Sequence, residues 1–196
     1  MTRDATRHLP PHFHAGVHDR LTEAGRSPAA ARAMIDLDSA MFLWFRVVAQ
    51  GGFTAPLLAG LETEVDMTRF RALTAIARLA HGIGRAAPTA PTIGALAEEL
   101  GIDPSRASRI AADLIEAGLV RREAAQEDGR KSVLALTGRT VAIFEAYRDA
   151  KWERYRAVFD GWPDADIESF ARLFARFFDG MAEAHGVVLP DSGERA

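Results

Sequence analysis

The chain has 196 residues, 48% hydrophobic and 26% charged, with a formal net charge of −3 and no cysteine. Such a length builds one domain or two small ones, the composition excludes wholesale disorder, and the lack of cysteine excludes disulfides, thiolate metal sites and thiol redox chemistry. The slight acidic excess excludes a nonspecific polycation, so any contact with nucleic acid needs positive charge gathered locally.

No apolar run approaches the roughly 18 residues that span a bilayer. The first residues, Met1-Thr-Arg-Asp-Ala-Thr-Arg-His8, carry no signal-like apolar segment. The expectation is a soluble, cytoplasmic protein with no membrane partner.

Residues 1–28 combine Pro10, Pro11, Gly16, Gly25 and Pro28 with four of the six histidines. They read as a mobile N-terminal arm with a short helix near residues 18–24. Residues 29–50 form a strong helix, since Met34, Leu37, Met41, Trp44 and Val48 recur at spacings of three and four, with Phe42 and Phe45 widening the stripe. Gly51-Gly52 ends it, and Pro56 starts a further turn through Leu57, Leu58 and Leu61. Residues 67–81 are helical, with Phe70, Leu73, Ile76 (or Ala77) and Ala80 to one side. Gly82, Gly84 and the Pro88–Pro91 linker follow.

Residues 92–100 form a short helix, with Ile93, Leu96, Ala97 and Leu100 inward and Gly101 at its end. Asp103 then suits the N-cap and Pro104 the first turn of a helix reaching residue 117. Gly118 suits the left-handed position beyond it, and Leu119 the apolar contact that follows. Residues 120–124 and 131–137 read as strands of a hairpin around Gln126-Glu-Asp-Gly129. Thr137 caps a long helix through residue 159, with Val141, Phe144, Trp152, Tyr155 and Phe159 on one face. Pro163 opens a last helix carrying Ile167, Phe170, Phe174, Phe177 and Met181, and residues 187–196 read as a flexible tail. The fold class is mainly α with a small β-hairpin. Residues 67–137 form one domain, and residues 29–66 with 138–186 form a helical dimerisation region.

On the helix from Pro104, Ala107, Ile110, Ala111 and Leu114 share the inward face. Ser105, Arg106, Ser108, Arg109 and Asp113 point elsewhere. A DNA major groove admits one helix, Arg makes paired hydrogen bonds to guanine, and Ser is permissive. The N-terminal part of the second helix of a helix-turn-helix is the part that reaches bases. Arg121 and Arg122 lie on the first strand, Arg130 and Lys131 just past the turn. An arginine at a hairpin tip suits a narrow minor groove, and Asp128 is placed to brace Arg130 by a forked ion pair. From Ser105 to Lys131 there are six basic and five acidic residues, a net charge of +1. Position, not bulk basicity, carries the reading of a double-stranded DNA partner.

The stretches Thr92-Ile-Gly-Ala-Leu-Ala-Glu-Glu-Leu-Gly101, Ser105-Arg-Ala-Ser-Arg109, Leu114-Ile-Glu-Ala-Gly-Leu-Val-Arg121 and Asp128-Gly-Arg-Lys-Ser-Val-Leu-Ala-Leu-Thr137 resemble the MarR family of winged helix-turn-helix transcription regulators. The resemblance covers about residues 29–186. It implies a homodimer whose two winged domains read an inverted repeat, with half-sites about one DNA turn apart. It assigns Ser105, Arg106, Ser108 and Arg109 to recognition, Arg130 and Lys131 to the wing, Asp128 and Gly129 to wing structure, and Thr92 to a phosphate. It also implies a repressor released by a small aromatic or anionic effector, for which Trp44, Phe45, Arg46 and Arg69 are candidate lining residues without a committed site. Asp113 departs from the family pattern, either repelling phosphate or pairing with a nearby arginine.

His8, His12, His14 and His18 suit a metal-responsive regulator by residue type, but Pro10 and Pro11 break helical spacing and no metal site is assigned. Glu62, Glu64 and Asp66 lack a nucleophile, phosphate loop or metal frame beside them, so no enzyme and no cofactor are expected. A helical dimerisation and protein-interaction module on a winged-helix scaffold is the alternative from another class.

Overall fold

The computed structural model describes residues 11–124 and 132–187. They fall into two units, divided between Pro56 and Leu57.

The first unit begins with a 3-10 turn at Pro11–Phe13, followed by helices α1 (Val17–Glu23) and α2 (Pro28–Ala49). Ser27 caps α2 by accepting from the Ala30 amide at 3.2 Å, and Pro28 occupies the first turn, where its missing N–H costs nothing. The segment read as a mobile arm therefore contains a helix, and α1 packs on α2. His14 Nε2 donates to Asp38 Oδ2 at 2.9 Å across this contact. Only Ala31 and Ser39 of α2 are buried. Its apolar stripe is exposed at Met34, Leu37, Phe42, Trp44, Phe45 and Val48, with Phe45 60% accessible. Trp44 stacks at a tilt on Phe53, 4.6 Å between centroids.

Helix α3 (Thr54–Ala59) starts two residues before Pro56 and spans the division between the units. The second unit continues with α4 (Met67–His81), α5 (Ile93–Leu100), α6 (Pro104–Glu116), strands β1 (Val120–Ala124) and β2 (Ser132–Leu136), α7 (Gly138–Val158) and α8 (Asp164–Ala184). Its core joins Leu58, Val65, Phe70, Leu73, Ile76, Leu96, Ala111, Leu114, Leu119, Val120 and Leu134. Ala80 lies outside this core and is exposed; Leu79 takes the inward place, because the buried arc of α4 runs through Leu73, Ile76 and Leu79. From α7, Phe144 meets Phe70 edge-on at 5.8 Å and Tyr147 meets it at 4.5 Å.

Gly82 closes α4 at φ 67°, and a Cβ there would stand 2.9 Å from the Pro88 nitrogen. Glycine is thus needed both for the backbone conformation and for the return of the linker. β1 and β2 pair antiparallel, with Val120 opposite Leu136 and Arg122 opposite Leu134. Thr137 holds the N-cap position of α7 without a side-chain cap, contrary to the sequence reading. Its hydroxyl turns back and donates to the carbonyl of Gly118 at 2.9 Å, just beyond the end of α6.

Candidate nucleic-acid interface

Three local devices place α5 and α6. Thr92 caps α5, its hydroxyl accepting from the Ala95 amide at 3.1 Å. Asp103 caps α6, accepting from the Arg106 amide at 2.8 Å, with Pro104 in the first turn. The C-terminus of α6 closes through Gly118 at φ 68° and a bond from the Leu119 amide to the Leu114 carbonyl at 2.9 Å, the Schellman arrangement. Leu119 and Leu114 are fully buried, so this closure also anchors the start of β1.

On α6, Ala107, Ala111 and Leu114 are buried and Ile110 is half-buried against the core. Small residues at 107 and 111 let α6 lie close on its neighbours. Ser105, Arg106, Ser108 and Arg109 are exposed, as expected from the sequence. Ser105 has a local engagement: its hydroxyl donates to Asp103 Oδ1. Together with the Arg106 amide, that bond holds the Asp103 carboxyl below the usual carboxylate range. Thr92 is half-buried, and its amide donates to the Ala90 carbonyl at 2.8 Å. The amide is therefore committed within the chain, while the hydroxyl proton is not used by the cap.

The hairpin is tied to this pair of helices. The Leu134 amide donates to the Pro91 carbonyl at 2.9 Å, fixing β2 to the approach of α5. Arg121 is engaged along the hairpin, donating from Nε to Glu123 Oε1 at 2.8 Å and from Nη1 to the Leu136 carbonyl at 3.0 Å. Arg122 is exposed. Asp128, Gly129, Arg130 and Lys131 lie outside the described residues.

Two ion-pair groups escaped the sequence. Arg69 of α4 forks onto Asp113 of α6, Nε to Oδ2 and Nη2 to Oδ1, both at 2.8 Å. The paired hydrogen bonds hold Asp113 below and Arg69 above their ordinary pKa values. Of the two roles left open for Asp113, pairing with an arginine is the observed one. Glu99 of α5 receives Arg78 Nε at 2.8 Å and also Arg85, joining α4, α5 and the linker between them. These partners are 44, 21 and 14 residues apart, so no local spacing announces them.

The histidines are spread out. His12 stacks with Phe13 at 4.9 Å, His14 bonds Asp38, and His18 Nδ1 lies 3.4 Å from Asp19. His8 lies outside the described residues. Among the described residues, no three His, Asp or Glu side chains gather in a metal-holding group. No described helix is long and apolar enough to cross a membrane.

Residues 65–131 match the model of the MarR family. A MarR family protein from Bacillus stearothermophilus has a similar fold at 16% identity and TM-score 0.58, over 77% of this chain and 96% of that one. A Mycobacterium tuberculosis protein is similar at 21% identity and TM-score 0.55, over 77% and 92%. Staphylococcus aureus MepR, in a structure with bound ethidium bromide, is similar at 13% identity and TM-score 0.51, over 72% and 95%. No curated protein sequence matches the chain.

Proposed function

We propose that this chain, which belongs to the MarR family through its 65–131 segment, is a sequence-specific DNA-binding transcription regulator acting as a homodimeric repressor. The carrying observation is α6, which buries Ala107, Ala111 and Leu114 while presenting Arg106, Ser108 and Arg109 outward from its N-terminal half. Arg106 and Arg109 would face base edges in the major groove, and the nearby hydroxyls would fit between bases and phosphates. Arg130 and Lys131 would reach the flanking minor groove or its phosphates, with Asp128 and Gly129 shaping the wing. Thr92 would meet a phosphate through its hydroxyl.

A homodimer would set two copies of α6 on an inverted repeat. MepR was captured with an aromatic molecule, and a small aromatic or anionic effector that releases DNA is the signal proposed here. The protein would act in the cytoplasm, where its DNA lies, with no catalytic step of its own.

Selection of bound fragments from genomic DNA tests the reading directly. The expected outcome is a short inverted repeat; recovery of fragments without a common sequence would refute specific readout. On the recovered site, Arg109→Ala should cost about 1–3 kcal/mol and relax preference at one base pair of each half-site. Unchanged affinity and preference in a titration would remove Arg109 from the contact set.

A further inference from the structure

Arg106, Arg109 and Asp113 stand at i, i+3 and i+7 on α6 and so share one side of the helix. Together with Ile110 of α6 and Thr68 and Arg69 of α4 they line one cleft of about 290 Å³. That is at the lower edge of volumes that hold small ligands, roughly 300–1,000 Å³, and the side chains lining it are mostly charged. Its most ordered feature is internal, the fork of Arg69 on Asp113. Arg69 is itself held at two further points and is largely covered. Its amide donates to Asp66 Oδ1 at 2.8 Å, its Nη1 donates to the Glu64 carbonyl at 3.2 Å, and its side chain is only a quarter accessible.

We propose that Arg69 is a positioning residue for DNA reading: it clamps the last turn of α6 to the start of α4 and cancels the negative charge of Asp113 beside the two reading arginines. The inference rests on the DNA-binding reading above and adds a division of labour to it. Three arginines line the cleft, but only Arg106 and Arg109 are available to DNA. The third is spent on the acid. A free carboxylate i+4 from Arg109 would otherwise compete for its guanidinium and repel the phosphates beside it. The forked geometry also fixes direction, because two of the three guanidinium nitrogens and both carboxylate oxygens are used. A lysine supplies the charge without that planar fork.

Opposite signs follow for the two halves of the clamp. Asp113→Asn frees a cation toward the backbone. Arg69→Gln frees an anion. The test uses the full chain and compares its recovered genomic site with a scrambled duplex across a salt series. Asp113→Asn should bind both duplexes more tightly at low salt and steepen the log–log salt slope by about 0.9. Arg69→Gln should weaken binding by roughly tenfold or more. The Arg69→Gln/Asp113→Asn double variant should recover the original slope, because the lost pair is neutral. Its ratio of specific to scrambled affinity should stay roughly tenfold low, because the clamp is gone. Arg69→Lys should restore slope but not ratio.

Single variants that shift affinity in the same direction, or a specificity ratio unchanged in all four, would overturn the proposal while leaving DNA reading intact. Failure of the unmodified chain to prefer any fragment would overturn both. If Arg69→Gln does not fold, Asp113→Asn decides alone: a steeper slope with a lower ratio supports the clamp, and an unchanged slope rejects it.

Discussion

Asp113 is held below its ordinary carboxylate pKa of 3.8, first by hydrogen bonds from Arg69 and then by that residue's charge. A carboxyl with a lowered pKa in the folded chain binds fewer protons there than when unfolded. Its contribution to stability is therefore complete above 3.8 and is lost as pH falls through the folded value. Asp103 adds the same sign through Ser105 and the Arg106 amide. One group caps α6 and the other lies in its last turn, so acid should loosen the reading helix early. Replacing Asp113 by Asn should lower the neutral plateau of a stability–pH curve slightly and flatten the acid limb by the same small amount, since the two curves converge where Asp113 is protonated and the partly exposed pair adds little. Urea titrations from pH 2 to 7 measure this, and an acid limb unchanged in slope would refute the linkage. The cap at Asp103 was legible because an Asp-Pro pair states its role within four residues. The partner of Asp113 was not, because Arg69 reaches it only after α4 and α6 cross.

At the scale of elements, the end of α6 shows why the Leu-Thr-Gly-Arg run after β2 matters. Helices leave their last carbonyls unpaired, and burying them unpaired is costly. Here the start of α7 supplies donors to Ala117, the C-cap of α6, and to the two residues that follow it. Arg139 Nη1 donates to the Ala117 carbonyl at 2.9 Å, Thr137 Oγ1 to Gly118 at 2.9 Å, and Thr140 Oγ1 to Leu119 at 2.6 Å. Thr140 is fully buried, so its hydroxyl has this partner in place of water. Thr140→Val keeps the shape and removes the donor. It should lower unfolding free energy by about 1 kcal/mol, measured by denaturant titration. A change within about 0.3 kcal/mol would mean that the Thr137 amide, 3.1 Å from the same carbonyl, suffices. The element boundaries here were legible from Gly118 and the strand pattern. The hydroxyl directions were not, since a threonine before a helix reads equally as its cap.

Across the whole molecule, periodicity located the long helices but not what covers them. The stripe on α2, in the region read as a dimerisation element, leaves Trp44 52% and Phe45 60% accessible. Helix α7 exposes Val141, Trp152 and Tyr155, and α8 exposes Phe170, Leu173, Phe174, Phe178 and Met181. Periodicity reports that a face is apolar, without telling burial within a chain from burial between chains. Aromatic side chains grouped this way dominate association energies when a second copy covers them. The homodimer proposed for DNA reading gives these residues that role. Phe174 sits midway along the exposed row of α8 and stacks on Phe170 at 5.9 Å. A charge at 174 would have to be desolvated twice in a symmetric pair, once per copy. Phe174→Asp should therefore shift sedimentation from two copies toward one at micromolar concentration. It should also weaken binding to the full inverted repeat far more than to an isolated half-site, because one copy can engage only one half. An unmodified protein that sediments as a single copy, or a Phe174→Asp variant that still sediments as two and keeps its preference for the full repeat, would separate this apolar row from dimer formation.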